Sequence, residues 1–213
     1  MNIFVKVDSV NFTQNGIVNI ELSDNRKFRI PVQFWNDLKF TCEEELPETK
    51  IELIENESNY TKIKEKILFF LASREHSVFE LQRKIKQGFL KSRIKNFNML
   101  FNRCIKEMQE KDFQSDERFT RHFINSRIAN KLEGPYKILQ NLQSRGISPE
   151  LSQAILNEES DNDLWVKKTI DCLENFHKKN RNFLETSLYQ KLYQRGFPWE
   201  IIEQALDEYK RLK

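Results

Sequence analysis

One short pattern, used three times, constrains this chain more than any other feature. It reads L-Q-R-K-I-K-Q-G-F over Leu81–Phe89, I-L-Q-N-L-Q-S-R-G-I over Ile138–Ile147 and L-Y-Q-K-L-Y-Q-R-G-F over Leu188–Phe197. Each copy is an apolar stripe at helical spacing, then a basic or amide residue, a glycine and an apolar residue. Glycine accepts the left-handed conformation that ends a helix, and the apolar residue after it can fold back onto the last turn. A helix-and-stop unit repeated over tens of residues predicts stacked supersecondary units that share a core with their neighbours. Such arrays present surfaces for partners more often than closed catalytic pockets.

The rest of the chain fits three such units. From about Asn59, Ile63, Ile67, Phe70 and Leu71 form an amphipathic stripe. Ser77-Val78-Phe79-Glu80 matches a capping box for the next helix, which Leu81 and Ile85 continue to Gly88. Ile94, Phe97, Leu100, Phe101, Cys104, Ile105 and Met108 mark a third helix. The second unit opens at Asp116-Glu117-Arg118-Phe119, with acids in the first turn where the helix dipole favours them. Gly134-Pro135 breaks and restarts the chain, and Ser148-Pro149 does so again, Ser148 as cap and each proline at a first helical position. The third unit starts near Asp161-Asn162-Asp163-Leu164 and ends with Ile201, Ile202, Ala205 and Leu206. Copies two and three align without a gap. Copy one has Ile85 only three residues before its glycine, where the others have four.

The N-terminal residues follow a different period. Ile3–Val7, Ile17–Leu22 and Lys27–Val32 alternate in the manner of strands, separated by turns at Gln14-Asn15-Gly16 and Ser23-Asp24-Asn25. Pro31 near the end of the third run is tolerated there. Two or three antiparallel strands and a short helix over Phe34–Phe40 are expected. Thr41–Glu57 is acidic, contains Pro47 and reads as a connector. The fold class is thus mainly α: three tandem three-helix repeats preceded by a small antiparallel β extension. The expected divisions are 1–57 for the β-rich extension and connector, then repeats over 58–111, 112–159 and 160–213.

Charge is unevenly spread. The net charge is only +3. Residues 1–57 carry 6 basic and 11 acidic side chains, residues 58–111 carry 13 and 5, and residues 112–213 carry 16 of each. The whole basic excess lies in the first repeat, as an electrostatic footprint for an anionic partner would. Arg83, Lys84, Lys86, Lys91, Arg93 and Lys95 cluster around the first turn; a solvated helix face would account for them equally well. The 17 phenylalanines are mostly placed for a core, with an aromatic base-stacking platform as the alternative reading.

Catalysis finds little support. There is no glycine-rich phosphate loop, no metal-ligand spacing and no paired histidines: His76, His122 and His177 fall in different repeats. No cofactor or metal is expected. Glu43-Glu44-Glu45 and Glu158-Glu159 read as solvated charge runs. Cys42, Cys104 and Cys172 are too few and too scattered for a disulfide framework and suit a reducing, cytoplasmic setting. No apolar run is long enough to span a membrane, and the N-terminus lacks the layout of a secretory signal.

Leu71-Ala72-Ser73-Arg74-Glu75-His76-Ser77 with Glu80-Leu81 resembles the first-repeat signature of the bacterial RecX regulatory proteins. Asp116-Glu117-Arg118-Phe119 with Arg127 and Gly134-Pro135 is similar to the second-repeat signature, and Leu188–Phe197 to the third. The resemblance covers about residues 60–210; the N-terminal strands are similar to an extension that some members carry. It implies an all-helical repeat array and a non-enzymatic modulator of the RecA recombinase; a monomer is expected. Such proteins lie in the groove of the RecA filament on single-stranded DNA. They inhibit filament growth, ATP hydrolysis, strand exchange and co-protease activity. Arg74 and Arg127 match motif positions and join the contact candidates, either as partner contacts or as residues that order helix junctions. A stand-alone DNA-binding module of helix-turn-helix-like units is the alternative, and the neutral balance of residues 112–213 weighs against it.

Overall fold

A computed structural model describes residues 4–89, 94–179 and 185–211. Four strands come first in the chain, with one short helix among them: β1 (Phe4–Phe12), β2 (Ile17–Leu22), β3 (Lys27–Pro31), α1 (Val32–Leu38) and β4 (Glu45–Pro47). They form an antiparallel sheet in the order β3-β2-β1-β4. Alternation places Val5, Val7, Val18, Ile20, Leu22, Phe28 and Ile30 on the buried face. The two expected turns are present, with Gly16 at φ +71° and Asn25 at φ +68°, a region open to glycine and tolerated by asparagine. Pro31 ends β3 and precedes α1, so its missing N–H costs the ladder nothing.

The acidic connector expected over 41–57 is ordered structure instead. Leu46 lies in β4, and α2 runs unbroken over Glu48–Ser73, 26 residues. Pro47 sits at the N-cap with extended backbone that its ring tolerates and makes no side-chain cap, while Glu48 in the first turn suits the helix dipole. Ile51 and Ile54, three apart, are fully buried against the sheet. Of the acids that suggested a connector, Glu43–Glu45 precede the helix, Glu52 is exposed on it, and Glu57 is buried and paired with Arg103. Residues 57 and 58 are therefore neighbours within one helix.

The remaining helices are α3 (Val78–Gly88), α4 (Phe97–Glu110), α5 (Asp116–Asn130), α6 (Pro135–Gln143), α7 (Pro149–Glu159), α8 (Asn162–Lys179), α9 (Glu185–Gln194) and α10 (Trp199–Arg211). The first helix of each repeat packs on the third: α2 on α4, α5 on α7, α8 on α10. The chain divides into two compact units. The first comprises Met1–Arg74 and Gln82–Phe113, and the second Glu75–Leu81 and Gln114–Lys213. In the second, repeats two and three share one core that includes Phe119, Ile138, Leu142, Trp165, Leu192 and Phe197.

Two of the three glycine turns behave as the sequence pattern predicts. Gly146 and Gly196 have φ +76° and +88°. The amides of Ile147 and Phe197 reach back five residues, to Leu142 O at 3.2 Å and Leu192 O at 3.3 Å, and both side chains are buried. Gly88 does not follow. It is the last residue of α3 without a positive φ, and the Phe89 amide makes an ordinary helical bond to Ile85 O at 3.1 Å. The residue missing before Gly88 removes the register that the other two turns need.

Close approach explains why glycine stands at these turns. In the second unit the α6 N-terminus lies on the turn at Gly196: Gly134 N–H donates to Arg195 O at 2.8 Å and Tyr136 N–H to Gly196 O at 3.0 Å. A Cβ on Gly134 would come within 2.3 Å of the Gly196 carbonyl oxygen. The first turn of α3 lies in the same way on the turn at Gly146. Ser77 Oγ donates to Arg145 O at 2.7 Å, and a Cβ on Gly146 would meet Phe79 Cβ at 2.4 Å. The motif Glu75-His76-Ser77 anchors that strip: Val78 N–H donates to Asp116 Oδ1 at 2.9 Å, and Arg118 Nε pairs with Glu75 at 2.5 Å.

Candidate partner-binding site

Arg83 and Lys86 are exposed on α3, in the first unit, with no carboxylate partner among the described residues. Lys62 and Lys66 on α2 are likewise without one. Neighbouring cations are spent inside the unit. Lys64 Nζ binds Glu107 at 2.7 Å, Lys111 binds the same carboxylate at 2.6 Å, and Arg103 binds Glu57 at 2.9 Å over the Tyr60 ring. Tyr60 also donates to Glu107. Partial burial would raise the Glu107 pKa, but the hydrogen bonds from Lys111, Lys64 and Tyr60 outweigh it and hold the carboxyl at about 2. Burial pushes the Cys104 thiol up to about 12, so it stays protonated and unreactive.

The sequence-derived candidates separate in space. Lys84 Nζ lies 4.8 Å from the Phe70 ring centroid. In repeats two and three, Arg145 covers Phe123 at 4.8 Å and Arg195 covers Phe176 at 5.0 Å. A cation over an aromatic of the first helix thus recurs in every repeat, and Lys84 fills that place in the first. Arg127 lies in the second unit, in the last turn of α5, 5.0 Å from the Phe123 ring and 3.5 Å from Glu133. Arg74 is the exposed C-cap of α2, and its amide bonds Phe70 O. Lys95 is exposed in the turn before α4 and near enough to Glu48 to help lower that carboxyl's pKa, after the larger effect of Arg26. Lys91 and Arg93 lie outside the described residues.

Sequence reasoning overlooked Arg29, Lys62, Lys66 and Phe69. With Glu65 and Phe89 they line an open groove of about 380 Å³ in the first unit. The spacing of Lys62 and Lys66, one turn apart and each just before a buried isoleucine, was the available signal. Arg29 belongs to the β extension and could not be placed beside α2 without the fold.

At the capping box, Glu80 N–H donates to Ser77 Oγ at 3.1 Å. The Glu80 carboxylate is aimed at His76 Nδ1, 3.0 Å away, and at Arg145 Nε, 3.3 Å away. Among the described residues no group of three His, Cys, Asp or Glu side chains is placed to hold a metal ion. No described helix is long and apolar enough to cross a membrane.

Comparison with known proteins places this arrangement. Residues 115–156 match the family model for the second three-helix domain of RecX. Regulatory protein RecX of Legionella pneumophila strain Corby is 34% identical, over 70% of this chain and 96% of that protein. The chain belongs to the RecX family. The RecX of Clostridium acetobutylicum is 28% identical over 92% of this chain and 96% of its own. A crystal structure of regulatory protein RecX superposes with a TM-score of 0.74 at 17% identity, covering 95% of this chain and 99% of that one. RecX from Lactobacillus salivarius superposes with a TM-score of 0.62 over 71% of this chain and 96% of its own. The helical-repeat fold is therefore that of RecX, and the chain is a member of a family of regulatory proteins.

Proposed function

We propose that this RecX-family chain is a non-enzymatic regulator that binds the RecA recombinase filament on single-stranded DNA. On this reading it restrains filament growth, ATP hydrolysis and strand exchange, acts as a monomer in the cytoplasm and needs no cofactor. Its three repeats would divide near residues 111 and 159, with repeat one nearest the filament. The observation that carries the reading is the set of cations of the first unit, Arg83, Lys86, Lys62 and Lys66, that have no carboxylate partner among the described residues, within a chain whose family is RecX. Arg83 and Lys86, exposed and without carboxylate partners among the described residues, are the leading contact candidates. Lys91, Arg93, Lys95 and Arg74 lie nearby in sequence and extend the set. Lys84 and Arg127 cover aromatic rings, so each would serve the site by holding its helix.

The test is RecA's single-strand-dependent ATP hydrolysis with and without this protein. Inhibition is expected, and a double variant Arg83→Glu/Lys86→Glu is expected to weaken it about tenfold or more while leaving the circular dichroism spectrum unchanged. An ATPase rate untouched by a several-fold excess of wild-type protein would end the proposal.

A further inference from the structure

The groove of about 380 Å³ between β3, α2 and the residue after α3 contains more than positive charge. Phe69 is 70% exposed, the most of the large apolar residues among those described. It stands edge-on to Phe70, ring centroids 5.7 Å apart, and Lys84 covers Phe70. Phe70 is thereby held on the helix while the Phe69 ring is left open. Lys62 and Lys66 precede it on the same side of α2, one turn apart and about 6 Å along the axis. Arg29 faces them from β3. Its guanidinium meets Glu65 at 3.3 Å, with both side chains about half exposed. Such a pair is weak and yields readily to a stronger anion. The backbone beneath is firm, because the Arg29 amide donates to Ser58 Oγ at 3.0 Å and fixes edge strand β3 on α2.

A flat, open aromatic flanked by cations suits a ligand that offers stacked rings and phosphates together. An acidic protein segment would use the lysines and leave Phe69 in water. The geometry points to direct binding of single-stranded nucleic acid in this groove, with a base on Phe69 and backbone phosphates on Lys62, Lys66 and Arg29. This rests on the reading that repeat one faces the filament. It adds where the protein contacts the strand, and that the β extension supplies part of the site through Arg29.

The experiment uses full-length protein without recombinase and a fluorescein-labelled oligo-dT in low salt, read by anisotropy. Wild-type protein is expected to bind. Phe69→Ala is expected to weaken binding about tenfold, as loss of one base–aromatic stack does, and Phe69→Trp to restore it. Lys62→Glu/Lys66→Glu is expected to weaken binding further and to flatten the slope of log affinity against log salt by about 1.4, the share of two phosphates on a single strand. Helical content by circular dichroism checks that each variant is folded. No binding by wild-type protein, or equal binding by all the folded variants, overturns the groove as a nucleic-acid site. So does loss of ATPase inhibition in the variants with unchanged oligonucleotide affinity, which would mark the groove as a protein contact. Intact oligonucleotide binding in the wild type with no effect on RecA would instead overturn the regulatory reading and leave the groove standing.

Discussion

At the scale of single residues, the glycines of the helical repeats do different work. Gly134 and Gly196 meet backbone to backbone, and a Cβ on Gly196 would lie 2.3 Å from the Lys137 nitrogen. Gly196 also has φ +88°, strained for any side chain. Around Gly88 there is nothing within 4 Å for a Cβ to meet among the described residues. Gly88→Ala should thus raise stability by about 0.5–1 kcal/mol through helix propensity alone. Gly134→Ala should lower it by about 1–3 kcal/mol or more, because only backbone movement relieves the overlap. Thermal melts of the two variants check this; shifts of the same sign would show that close backbone approach does not set the need for glycine. The repeated turn pattern announced a helix end at Gly88, Gly146 and Gly196. The need for glycine came from what lies against it, which no local pattern records.

At the scale of elements, α2 ties together the sheet and repeat one, and two carboxylates, Glu57 and Glu107, tie α2 to α4. Glu107 on α4 accepts from Tyr60 and Lys64 on α2 and from Lys111. Its folded pKa of about 2 lies below the ordinary 4.5. A depressed carboxyl contributes stability that is fully present above the unfolded pKa and is lost as pH falls through the folded one. The window for Glu107 therefore runs from about pH 4.5 down to about pH 2. Glu107→Gln should cost roughly 1–2 kcal/mol at neutral pH, discounted for solvent screening. It should also make the loss of stability across that window shallower, measured by denaturant unfolding at a series of pH values. An unchanged acid limb would remove Glu107 as its source. The same helix shows why 41–57 reads as a connector in sequence alone. Acid content and Pro47 resemble a linker, whereas Ile51 and Ile54 matter only because a sheet lies beneath them.

At the scale of the whole molecule, repeats two and three are one folding body rather than two. Phe197, fully buried, belongs to the same cluster as Ile138 and Leu142 of repeat two. Phe197→Ala should cost about 3–5 kcal/mol. It should lower amide-exchange protection in α6 together with α9, by hydrogen exchange and mass spectrometry; protection lost in α9 alone would show independent repeats. The sequence by itself determined the helical repeats, the strands before them, the left-handed turns at Gly146 and Gly196, and where the basic charge is concentrated. These follow from periodicity and backbone sterics, which act over a few residues. Only the tertiary structure decided which cations are spent internally, that Lys84 covers Phe70 as Arg145 and Arg195 cover their own aromatics, and that Arg29 joins Lys62, Lys66 and Phe69 in one groove. Those relations join residues far apart in the chain, and packing selects them through distances that sequence spacing does not encode.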